Sequence, residues 1–152
     1  MQVIDVPTSF AEKHHVNQKE ADMTDTTNTI RTILGLDALT CLAAGAVMSL
    51  GAGLLAGPTG LHPTLLLVAG CSLFPVAALF GWMAKTSLLN GPLVLLAVTG
   101  NIGWVTASIA VLLLTDPTLF GAAFILAQAL VVAVLAWLEF GHRPRAGVAV
   151  TA

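Results

Sequence analysis

Tyrosine is absent from this 152-residue chain, and charge is scarce: Asp, Glu, Lys and Arg together make up 9% of it. A soluble domain carries about 25% charge, so the chain has too little polar surface to face water on every side. Six basic residues against eight acidic ones leave a net charge of −2, which excludes the broad basic surface that nucleic-acid binding needs. Cys41 and Cys71 lie in apolar runs and make no disulfide framework. Histidine is missing from the apolar runs; His14, His15, His62 and His142 all fall outside them, which argues against a haem held in a helical bundle. There is no Gly-x-Ser-x-Gly elbow, P-loop or Gly-x-Gly-x-x-Gly, and no His/Cys/carboxylate set at metal-ligand spacing. Ser49, Ser72 and Ser108 have no histidine at their depth for a triad. The expectation is a non-enzyme with no catalytic residue, no cofactor and no metal. The missing tyrosine is unusual for the lipid-facing alternative, because tyrosine normally shares interfacial belts with tryptophan.

What is present is apolar: 57% of residues are hydrophobic, and the mean hydropathy is +0.90. The apolar stretches fall into four runs at about 31–56, 63–85, 92–114 and 117–140. Each is long enough for a hydrocarbon core of about 30 Å at 1.5 Å per residue. The predicted fold is all-α, a four-helix transmembrane bundle in up-down-up-down order with both termini on one side. Residues 1–30 are polar and lack an apolar h-region; they are expected to be a mostly disordered tail, with Met23 a second candidate start. Residues 142–152 form a short tail. Gly57-Pro58-Thr59-Gly60 breaks the first helix, Asn90 caps the third, and Asp116 is the expected N-cap of the fourth. Pro75 frees the Cys71 carbonyl, which Ser72 or a facing polar group is expected to satisfy.

Lys13, Lys19 and Arg31 precede the first span, Lys85 follows the second, and Arg143 and Arg145 follow the fourth. The other two connections hold no Lys or Arg, so the positive-inside rule places both termini in the cytoplasm. The first partner is the lipid bilayer, then a homo-oligomer or a larger membrane protein.

Two patterns stand out within the spans. Every fourth residue from Asp37 is small or polar: Asp37, Cys41, Gly45, Ser49, Gly53 and Gly57. Such a ridge admits a close neighbouring helix in lipid. Its outer half, Gly45, Ser49, Gly53 and Gly57, is the expected packing face. The second pattern is polar residues at depth, each needing a partner. Asn101, Trp104 and Gln128 are expected near mid-membrane as an intramembrane cluster, read as a structural clamp ahead of a ligand site. Asp37 and Glu139 are expected nearer the cytoplasmic edge, solvated or paired with a basic residue such as Arg143 four positions on. Proton or cation handling is the alternative for these two acids.

Leu34-Gly35-Leu36-Asp37-Ala38, the prolines Pro63 and Pro75, Asn101 with Trp104, Pro117-Thr118, Gln128-Ala129 and Glu139 follow one another over about residues 34–141. In this pattern the chain resembles a group of small, uncharacterised bacterial four-span integral membrane proteins. The resemblance implies a bacterial inner-membrane bundle and no particular activity. The small multidrug-resistance transporters differ, since they carry a membrane-embedded Glu in their first helix. The expected function is an accessory, scaffold or self-associating membrane subunit. The alternative is a small oligomeric transporter or channel that uses the polar residues at depth.

Overall fold

The structure, a computed structural model, describes residues 8–86 and 89–143. Five helices follow one another: α1 (Thr8–Leu50), α2 (Ala52–Thr59), α3 (Pro63–Lys85), α4 (Gly91–Leu114) and α5 (Leu119–Gly141). Four helical stretches are long and apolar enough to cross a membrane: Asp25–Leu50, Pro63–Lys85, Gly91–Leu114 and Leu119–Gly141. Only 22–33% of an 18-residue apolar window in each is buried within the protein. The rest presents large apolar side chains outward, among them Leu50, Leu113, Leu119 and Trp137. An apolar surface this continuous is a membrane surface, and the chain is a multi-pass membrane bundle.

The first helix departs from expectation at both ends. It begins by Thr8 rather than near residue 31, so most of the polar stretch expected to be disordered is helical. It breaks at Gly51, where φ is −91° and ψ is 4°, not at Gly57-Pro58. Hydrogen bonds from Gly51 N to Val47 O and from Leu55 N to Gly51 O carry the backbone across the break, so α2 prolongs α1. Pro58 sits inside α2, and the chain turns only at Gly60, whose φ of 70° is a left-handed cap.

The other boundaries follow local chemistry. Asn90 Oδ1 accepts from Leu93 N at 3.0 Å, as expected. Thr118, not Asp116, caps α5: its Oγ1 accepts from Gly121 N at 3.0 Å. The same hydroxyl donates to Pro58 O, and Thr118 N donates to Thr59 O at 3.0 Å. Asp116 cannot take this place because the connection runs extended from Thr115 to Thr118 to reach the α2–α3 turn. Ser72 donates to Ala69 O at 2.7 Å rather than to the carbonyl freed by Pro75.

Two helical pairs build the bundle. α1 packs most extensively against α3, and α4 against α5. The close approach of α1 and α3 is at Gly45 and Gly70. A Cβ on Gly45 would stand 2.9 Å from Gly70 O, and one on Gly70 would stand 2.6 Å from Ser49 N. At Gly53 and Gly57 a Cβ would meet nothing within 4 Å. The packing face expected over Gly45, Ser49, Gly53 and Gly57 is therefore corrected within this chain. Its close contact ends near Ser49, because a period-four ridge rotates away from a straight neighbour on a 3.6-residue helix. At the opposite end of the bundle, Arg31 donates to Thr86 O at 3.0 Å, fastening α1 to the α3–α4 connection.

Candidate functional site

Most hydroxyls in the spans satisfy themselves along their own helix. Thr40, Ser49, Thr99, Thr106, Ser108 and Thr115 each donate to a carbonyl three or four residues earlier. This keeps their polar groups bonded in lipid without help from a neighbouring helix. Carboxylates and an amide cannot do the same, so they meet across helices.

That meeting joins Asp37, Asn101 and Glu139. Asn101 Nδ2 on α4 donates to Asp37 Oδ2 on α1 at 2.6 Å and to Glu139 Oε2 on α5 at 3.1 Å. Both acids are 0% exposed and Asn101 is 3% exposed. Cys41, one turn beyond Asp37, points its thiol at Asp37 Oδ1 across 3.6 Å. Glu139 Oε1 is buried with no hydrogen-bond partner. Two acids thus share the two N–H groups of a single amide, and one acid oxygen is left bare.

Among the described residues, no cation pairs with them. Arg143 lies over the Phe140 ring, 3.6 Å from its centroid, and donates to Phe140 O, so the expected pairing with Glu139 is replaced by stacking. Arg31 is engaged at Thr86 O, and His142 Nδ1 lies 2.8 Å from Leu138 O. α3 turns Leu73, Ala77, Phe80 and Met83 to the core. Toward the α3–α4 connection, Ile30, Leu34, Met83 and Val94, each at most 2% exposed, close the bundle below the acids.

On the other side of Cys41 the interior is open. A cavity of about 310 Å³ is lined by Thr40, Cys41, Ala44 and Leu73 with Trp104, Phe124, Gln128 and their neighbours. A second, of about 170 Å³, continues past Trp104, Phe124 and Gln128 to Leu61 and Leu65 near the α2–α3 turn. The three shared residues form the common wall of both spaces.

The site residues expected from sequence fall into two places. Asp37 and Glu139 come together, and Asn101 is the residue that joins them. Trp104 and Gln128 stand apart in the cavity walls. Asn101 does not pair with Gln128, which lies about 11 residues, or ~16 Å, along α5 from Glu139. Through Asn101, Asp37 stands at the level of Glu139 in the last turn of α5. Cys41 was expected only as a small packing residue; its i+4 spacing from Asp37 was the available signal. Gly70 and Phe124 carried none, being ordinary residues in an apolar run. Among the described residues, no three of His, Cys, Asp and Glu are grouped to hold a metal ion; the side chains of His14 and His15 lie outside those described. No family model matches the chain, and no curated protein or solved structure is significantly similar to it.

Proposed function

We propose that the chain is a proton-binding membrane carrier in which Asp37 and Glu139 take up and release a proton as part of moving a solute. The observation that carries this reading is the bare Glu139 Oε1 in a cluster where two fully buried acids share one amide. A pair of negative charges without a cation is costly in a dry interior. A shared proton removes one charge and supplies the donor that the bare oxygen lacks, as in other close carboxyl pairs. Among the described residues, the other titratable and charged groups on or next to α1, α3 and α5 are Asp25, Arg31, Cys41, His62, Cys71, Lys85, Asp116, His142 and Arg143. Of these, Cys41 is the one bonded to an acid, Asp37. Buried ionisable residues in membrane spans commonly mark ion or proton pathways.

Infrared spectra of the protein in lipid, recorded as pH is stepped, test this. The expected result is a protonated-carboxyl C=O band that grows on acidification and is lost in Asp37→Asn and Glu139→Gln. A band that stays constant across the pH range makes the cluster a static clamp and overturns the reading.

Self-association is a second reading, supported by Gly53 and Gly57. Both are exposed with open space above them, enough for a second helix to approach. Placement in a bacterial inner membrane rests on the resemblance over residues 34–141, and cytoplasmic termini rest on the basic residues at one end of the bundle.

A further inference from the structure

We propose that the paired cavities between α1, α3, α4 and α5 bind a lipophilic organic cation, whose charge is drawn to Asp37 past Cys41. This deepens the proton-carrier reading and rests on it. The walls are almost wholly apolar: Leu61, Leu65 and Met48 at one end, Ala44 and Leu73 at the other, with Trp104 and Phe124 between them. Their combined volume falls in the range of small-molecule sites, about 300–1,000 Å³. Aromatic faces favour cations as well as apolar groups. Gln128 in the shared wall adds a carbonyl acceptor.

The choice of a cation over a neutral lipophile comes from the closed end. There the cavity wall is Cys41, whose thiol rests on Asp37 Oδ1 at 3.6 Å. One side chain therefore separates an apolar space from two acids that have no basic partner among the described residues. When a monovalent cation enters, one proton leaves the acid pair to solvent, and the charge of the site is unchanged. Cation and proton then compete, so cation affinity falls as pH falls.

Binding of tetraphenylphosphonium to the purified full chain, compared with a neutral isostere of the same shape, tests the assignment. The expected result is saturable binding of the cation at least about tenfold tighter than the isostere. About one proton should be released per cation, and affinity should weaken on acidification. Asp37→Asn should abolish the preference for the cation. Ala127→Phe, which fills the cavity from an exposed position, should weaken both ligands and leaves the test intact if the Asp37 variant does not fold. Absence of saturable cation binding, or equal binding of cation and isostere, overturns the inference. If the carboxyl band still titrates in that case, the proton-carrier reading stands alone. If neither is seen, both fall.

Discussion

Asn101 Nδ2 stands 2.6 Å from Asp37 Oδ2 and 3.1 Å from Glu139 Oε2, so a single amide ties α4 to α1 and α5 in the interior. The acids have no basic partner in the described structure. Removing the amide therefore does more than delete two hydrogen bonds, because it leaves buried Glu139 without a donor and Asp37 with only the weak Cys41 thiol.

Asn101→Leu is expected to destabilise the protein by about 1–3 kcal/mol for each acid left unsatisfied. Thr106→Val, which removes only a back-bond to Ile102 O on an exposed face, should change stability little. Thermal unfolding of both variants in mild detergent checks this. Equal midpoints would show that the amide does not hold the cluster.

Bulk at the α1–α3 contact should be felt locally. Gly45→Leu and Gly70→Leu push a side chain into backbone atoms less than 3 Å from the new Cβ. Each should cost about 1–3 kcal/mol or more. Gly53→Leu meets open space and should leave the monomer unfolding temperature unchanged. A loss at Gly53 that grows with protein concentration would instead reveal a self-association face.

Thr118 has two tasks: capping α5 and holding the α2–α3 turn. Thr118→Ala loses a cap worth about 1 kcal/mol, together with the donation to Pro58 O. Thr118→Ser keeps the hydroxyl and should recover most of that loss. Hydrogen exchange at Gly121 N, which the cap protects, is expected to speed up in the Ala variant only.

Reporters fused after residue 143 should be active on the cytoplasmic side. Lys85 at the end of α3 and Arg31 beside Thr86 put basic residues at that end. A C-terminal reporter active on the opposite side would reverse the proposed topology.

Much of the architecture was legible in the chain because lipid imposes simple rules. A span needs about 20 apolar residues, and backbone groups in lipid must be bonded internally. Those two conditions suffice for four helices, with Pro63 and Asn90 marking two of their starts. The stripe Ala97, Asn101, Trp104 and Ser108 turns inward as helical periodicity requires, with Trp104 only half-buried.

The composition of the chain alone determined that it would seek lipid, that its helices would pack through small residues, and that Asp37, Asn101 and Glu139 would each need a partner. Only the tertiary structure decided which partners. Depth counted from the expected helix ends placed Asp37 near the edge and Asn101 beside Gln128. The true register depends on two features that no local signal reveals. Arg31, bonded to Thr86 O, sets α1 against the end of α3 and with it the height of Asp37. The extended Thr115–Thr118 segment, anchored to Pro58 and Thr59, displaces α5 along α4. Relative sliding of two apolar helices changes little in side-chain composition at their contact. It is fixed by the few polar groups that must meet, and these are Asn101 with the two acids and Thr118 with the α2–α3 turn.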